Sequence, residues 1–246
     1  MKYDPHRERS LSIDIFREDI VENYDKIALF VDETIDQSFY NTTTSEIINT
    51  LELDENSVVI DLGTNLGDQM EDYVHLGAEV HSFEPHPMFA NLIKKRFAKY
   101  QNLIFHNCAA GPLDNDEAYL YFRESSIDMN DGASMFHYKG CTDKNIELRL
   151  SHDPSVCHKT KTVDIAKYIF ELDKDIDILK IDVEGYEYML MWRLLQTDVI
   201  SRIKHIFFAD HRQDIFAPSW FAVAAKTIDV IKRNPDVMNK MHHRHA

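Results

Sequence analysis

From residue 58 onward the chain alternates short β-branched runs with helical segments, and that alternation limits its fold more than any other feature. Val58-Val59-Ile60-Asp61 reads as a buried strand and Ala78 to Phe83 as a second. The stretch between them, Asp68 to Leu76, is a helix closed by Gly77. Pro87 to Tyr100 is expected to form a helix that buries Phe89, Leu92, Ile93 and Phe97. Leu103 to His106, Ile176 to Ile181 and Ile203 to Phe208 are further strands, and Ser219 to about Arg233 is a last helix. A helix between two strands returns the chain to the same end of the sheet, so the strands pair in parallel. The expected fold is α/β: a Rossmann-type, doubly wound, mostly parallel sheet with helices on both faces.

Two regions depart from this rhythm. Residues 12–39 carry Ile13, Phe16, Ile20, Tyr24, Ile27, Val31, Ile35 and Phe39 at steps of three and four. With a short helix from Thr44 to Leu51, they predict an N-terminal helical cap over 1–53. The main domain is then 54–246, with an insert at about 112–162. The insert is expected to hold two extra strands, Ala118 to Phe122 and Thr160 to Val163, around a polar stretch at 124–158.

Composition excludes several functions. The 246 residues include seven glycines and no Walker-type phosphate loop. Acidic residues outnumber basic ones 42 to 27, a field that repels polyanions, so nucleic acid is not an expected partner. Cys108, Cys141 and Cys157 form no Cys-x-x-Cys, and the start does not read as a signal peptide, which predicts a cytoplasmic setting. No apolar run approaches the ~18–20 residues of a membrane span.

The sharpest local signal runs from Val58 to Asp68: a strand, a tight turn holding Gly63 and Gly67, and a helix start. In a doubly wound sheet, ligands bind beyond the carboxyl ends of strands at such a turn. Glu84 ends the next strand, where a carboxylate accepts hydrogen bonds from two ribose hydroxyls. A dinucleotide needs Gly-x-Gly-x-x-Gly, whereas this turn is Gly63-x-Asn65-x-Gly67. Asp68 is expected to cap the helix and to repel a pyrophosphate. With Asp61 before the first glycine, the acidic rim suits a sulfonium nucleoside without phosphates.

A second signal is Asp177-Ile178-Leu179-Lys180-Ile181-Asp182-Val183-Glu184-Gly185-Tyr186-Glu187, a buried strand ending in alternating carboxylates and a glycine turn. These two motifs, with Phe83-Glu84-Pro85, Asn107-Cys108-Ala109-Ala110-Gly111 and Thr162-Val163-Asp164, resemble the FkbM family of S-adenosylmethionine-dependent methyltransferases over roughly 57–210. The resemblance implies a class I methyltransferase fold and methylation of a hydroxyl on a sugar, glycan or small-molecule metabolite. It implies that the Gly63–Gly67 loop, with Thr64 and Asn65, holds the methionine part of S-adenosylmethionine. Glu84 and Pro85 would take the ribose, Asn107 and Cys108 would flank the adenine, and Asp182 would lie near the sulfonium or the incoming hydroxyl. The fold usually closes with an antiparallel hairpin, but only about 12 residues follow the last helix. The sheet is therefore expected to be shortened, or completed by N-terminal or inserted segments.

Asp182 and the pair Asp210-His211 end two strands that are neighbours in such a sheet. Carboxylates ~6 Å apart repel by about 3 kcal/mol at an effective dielectric near 20. A divalent cation such as Mg2+ removes that cost and acidifies a bound hydroxyl. The layout resembles catechol-type O-methyltransferases, and Asp182, Asp210 and His211 are expected to form a metal or base site. The rival reading is a non-catalytic S-adenosylmethionine-binding regulatory or partner domain. His86 is expected at a helix end, Cys108 as a small packing residue, His137 in loop packing, and the tail from His242 to His245 as a frayed terminus. Oligomeric state is left open.

Overall fold

The computed structural model describes residues 42–43, 47–48, 50–121, 133–135, 157–211 and 218–244. The helix expected at 12–39, half of that at 44–51, and most of the 124–158 stretch with His137 lie outside the described residues.

The strands are β1 (Thr42–Thr43), β2 (Val58–Leu62), β3 (Glu79–Phe83), β4 (Leu103–His106), β5 (Ala109–Gly111), β6 (Asn115–Tyr121), β7 (Cys157–Asp164), β8 (Ile176–Ile181), β9 (Ile203–Ala209) and β10 (Met241–Arg244). Seven of them form one sheet in the order β1-β10-β9-β8-β2-β3-β4, and every neighbouring pair is parallel. The chain winds outward from β2 through β3 to β4, and outward the other way from β8 through β9 to β10. The winding reverses between β2 and β8, which opens a crevice at their carboxyl ends.

The helices are α1 (Asp68–His75), α2 (Pro87–Arg96), α3 (Ile165–Leu172), α4 (Glu187–Leu195), α5 (Pro218–Lys232) and α6 (Pro235–Met238). Strand alternation divides the core between the two faces of the sheet. Ile60, Leu62, Leu179, Ile181 and Phe208 pack with Ile165, Tyr188, Met191 and Ile228 of α3, α4 and α5. Val59, Val80, Ile178 and Phe207 pack with Met70, Tyr73, Ile93 and Phe97 from the α1 and α2 side. Ile47, Ile48, Leu51 and Leu53, from the expected cap, pack against this second cluster.

β5, β7 and β6 form a smaller sheet in that order, β5 parallel and β6 antiparallel to β7. The insert thus supplies the two expected strands. Asp164 ends β7 and caps α3, its Oδ1 accepting from the backbone N–H of Ala166 (3.0 Å) and Lys167 (3.3 Å). The same buried carboxylate pairs with Arg193 of α4 at 2.6 Å, tying the small sheet to the main helical layer.

Three local expectations are corrected. Asp68 does not cap α1: the cap is Gly67 in the left-handed region, and Asp68 pairs with Arg96, which also donates to the Leu66 carbonyl. That pairing compensates the charge expected to repel a pyrophosphate. Leu92 is exposed, because α2 stops at Arg96 and turns Phe89, Ala90 and Ile93 inward instead. Residues 241–244 do not fray: β10 adds to the sheet beside β9, and His242 is buried with its Nε2 3.1 Å from His205 Nδ1. As expected, the sheet closes without an antiparallel hairpin and an N-terminal segment helps to complete it: β10 and β1 are both parallel. Among the described residues, no helix is long and apolar enough to cross a membrane.

Candidate functional site

A cavity of about 300 Å³ opens at the carboxyl ends of β2, β3 and β8, with Thr64, Asn65, Glu84, Lys180 and Asp182 in its wall. Its floor is the turn after β2. The backbone N–H groups of Gly63 and Thr64 both donate to the Phe83 carbonyl (3.0 and 3.2 Å), and the Thr64 hydroxyl lies 2.6 Å from that of Ser82. Gly63 takes φ +78°, and a Cβ there would sit 1.8 Å from the Asp182 carbonyl oxygen. No side chain fits at that close approach of β2 to the end of β8.

Glu84 closes one wall. Its Oε2 accepts from Asn65 N–H (2.8 Å) and its Oε1 from His86 N–H (2.7 Å). The side chain is buried, and desolvation pushes its pKa to about 7 although both amides favour the charged form. Each carboxylate oxygen keeps a second lone pair for a ligand. His86 sits at the start of α2 as expected, its Nδ1 accepting from Met88 N–H at 3.2 Å.

Opposite Glu84, Lys180 is 2 % exposed near the end of β8, among the buried apolar residues Ile178, Leu179 and Ile181. It lies beside Asp61 in the β2–β8 register, and its Nζ donates to Asp61 Oδ1 and to the Gly63 carbonyl, both at 2.7 Å. Nζ is 3.9 Å from Asp182 Oδ2. The lysine thus neutralises the buried Asp61 and anchors the turn.

Beyond Asp182 three carboxylates converge on one imidazole. Glu187, fully buried at the start of α4, accepts from Val183 N–H (3.0 Å) and Gly185 N–H (2.9 Å), and its Oε1 is 2.8 Å from His211 Nδ1. A carboxylate only accepts, so Nδ1 donates and Nε2 is turned toward Glu184 Oε2 (3.5 Å) and Asp182 Oδ1 (3.9 Å).

Of the residues singled out in the sequence, Gly63, Thr64, Asn65, Glu84, Pro85 and Asp182 line the cavity. Asp61 lies behind it on Lys180, and Gly67 packs under the turn, where a Cβ would meet the Phe97 ring at 2.8 Å. Asn107 Nδ2 donates to the Glu84 carbonyl (2.9 Å), which supports the strand end rather than facing the cavity. Cys108 belongs to the core, with burial pushing its thiol up to about 11; Ala109 and Ala110 line the cavity in its place. Asp182 and His211 meet, but Glu184, not Asp210, completes the group whose ligand atoms lie within 4.8 Å of one another.

Lys180, Glu184 and Glu187 belong to the second motif, but their roles come from the structure and not from the sequence. The signal for Lys180 is a lysine flanked by Ile178, Leu179 and Ile181 in a strand expected to be buried; for Glu187 it is the carboxylate opening a helix after a glycine turn. Leu120 of β6 and Ala133 and Met135 of the insert also reach the cavity wall. The protein-family model described as the Methyltransferase FkbM domain matches residues 61–231 of the chain. No curated protein and no solved structure matches it.

Proposed function

The chain belongs to the FkbM methyltransferase family, and from that premise we propose that it uses S-adenosylmethionine to methylate a hydroxyl of a sugar, glycan or small-molecule metabolite. The observation that carries this reading is Glu84: a buried carboxylate held by the Asn65 amide of the glycine turn and the His86 amide at the start of α2, in the wall of the cavity at the sheet's switch point.

The donor set fits such a nucleoside. Glu84 is suited to two ribose hydroxyls, and the backbone of Gly63 to Asn65 leaves room for the methionine end. Pro85, Ala109 and Ala110 offer an apolar wall to the base. The cofactor, when bound, supplies a methyl group made electrophilic by its sulfonium. The chain's part is to seat the two reactants and exclude water. Asp182, with His211 beyond it, faces the incoming hydroxyl, whose proton is lost at this cluster; Asp210 is the further carboxylate at that strand end.

Calorimetry with S-adenosylhomocysteine tests binding, and a labelled-methyl assay on metabolite and glycan pools tests transfer. Saturable binding and label in a base-stable methyl ether are expected. Binding without transfer to any pool supports the non-catalytic reading, and absence of binding overturns both.

A further inference from the structure

We propose that Asp182, Glu184 and His211 hold one divalent cation of borderline softness, Mn2+ or Zn2+, at the mouth of the methyl-transfer cleft. The role deepens the reading above, but the binding site stands on geometry of its own. One oxygen from each carboxylate and the imidazole Nε2 lie within 4.8 Å of one another. Small side-chain movements would bring all three to ligand distance of a common centre.

The second, independent observation is the state of His211. Its side chain is 9 % exposed, and its only hydrogen bond among the described residues is from Nδ1 to Glu187. Nε2 is the ring nitrogen directed at two carboxylates from 3.5 and 3.9 Å, beyond good hydrogen-bonding distance. A carboxylate fixing one imidazole nitrogen while the other points at further ligand atoms is the outer-shell arrangement of metal-binding histidines. Glu187 is itself held by two backbone amides, so the ring cannot turn away without breaking buried bonds.

Charge points the same way. Asp61 is matched by Lys180, whose Nζ is committed to Asp61 and the Gly63 carbonyl. Asp182, which also lies 3.9 Å from Lys180 Nζ, gathers with Glu184 and Glu187 around a single imidazole, a density of carboxylates that favours a dication. One nitrogen among three protein ligands disfavours Mg2+, which takes oxygen ligands, and favours Mn2+ or Zn2+. A hydroxyl bound at an open position of that cation would release its proton to water more readily.

The test is titration of the full chain, freed of metal with a chelator, with Mn2+ followed by electron paramagnetic resonance. One equivalent should bind, one equivalent of Zn2+ should displace it, and a tenfold excess of Mg2+ should not. Glu184→Gln and His211→Gln should each weaken binding at least about tenfold, while Asp198→Asn, on the exposed turn before β9, should not. On the wild-type protein alone, pulsed resonance of bound Mn2+ should show coupling to an imidazole nitrogen. Absence of bound Mn2+ and Zn2+, bound Mn2+ without nitrogen coupling, or binding unchanged in both folded variants overturns the proposal. S-adenosylhomocysteine binding is measured separately, so loss of the cation site leaves the methyltransferase reading standing, and the reverse holds as well.

Discussion

Glu84 links stability to function through one proton. Its carboxyl titrates at about 7 instead of 4.5, because the cost of desolvation exceeds what the Asn65 and His86 amides return. A carboxyl whose pKa is raised by folding stabilises the native state while protonated in both states. That contribution is complete below pH 4.5 and is lost as pH rises to about 7, beyond which it changes no further. The difference amounts to about 3 kcal/mol. Glu84→Gln imitates the protonated form and removes the dependence. Urea unfolding of the cofactor-free protein should give similar stabilities for wild type and variant near pH 4.5, with the variant ahead by up to about 3 kcal/mol at pH 8. Cofactor binding should run the other way, because ribose hydroxyls donate to the ionised form. Wild-type affinity for S-adenosylhomocysteine should be about tenfold weaker at pH 6 than at pH 8, with proton release in calorimetry near pH 7, and Glu84→Gln should bind weakly at both. If the stability difference between wild type and variant is flat from pH 4.5 to 8, the buried-carboxyl argument is wrong. Flat wild-type affinity over pH 6 to 8 would remove Glu84 from the ribose.

Gly63→Ala places a methyl on the Asp182 carbonyl oxygen in a left-handed backbone, and should cost more than about 3 kcal/mol; a thermal melt showing less than about 1 kcal/mol would refute the close approach of β2 and β8. Lys180→Met strands the Asp61 charge beside the turn and should cost about 3–5 kcal/mol, with Asp61→Asn in the same chain restoring more than half; additive single effects in urea unfolding would deny the coupling. Asp164→Ala removes the α3 cap and leaves the Arg193 guanidinium buried, for a loss of about 3–5 kcal/mol; a loss near that of an exposed cap alone would contradict the buried pair. Cys108, held in the core with its thiol pushed up to about 11, should stay unmodified by a thiol reagent at pH 8 in the native protein and react once unfolded; equal rates would show that it is accessible.

The strand ends, the glycine turn and Glu84 were all legible in the sequence, because each is written in local chemistry. Ile176 to Ile181 is apolar enough to be a buried parallel strand, Gly63 and Gly67 mark left-handed backbone, and Glu84 follows the short strand Glu79–Phe83. α3 and α4 were not read, and neither were the flanking strands β1 and β10. Thr42–Thr43 and Met241–Arg244 carry no apolar alternation, and become strands only because β9 offers an edge to β10 and β10 in turn offers one to β1. The glycine turn could be located, but not what holds it: Lys180 meets Asp61 across 119 residues of sequence through the β2–β8 register. The choice of Glu184 over Asp210 beside His211 has the same origin. Strand order brings the two strand ends together, but side-chain direction at each end depends on a turn in which Glu184 itself takes φ +58°. Spacing along a chain specifies which elements form and where they end, since those depend on neighbours within a few residues. Which charges face one another across the cleft depends on how the elements dock, and tertiary packing alone decided it.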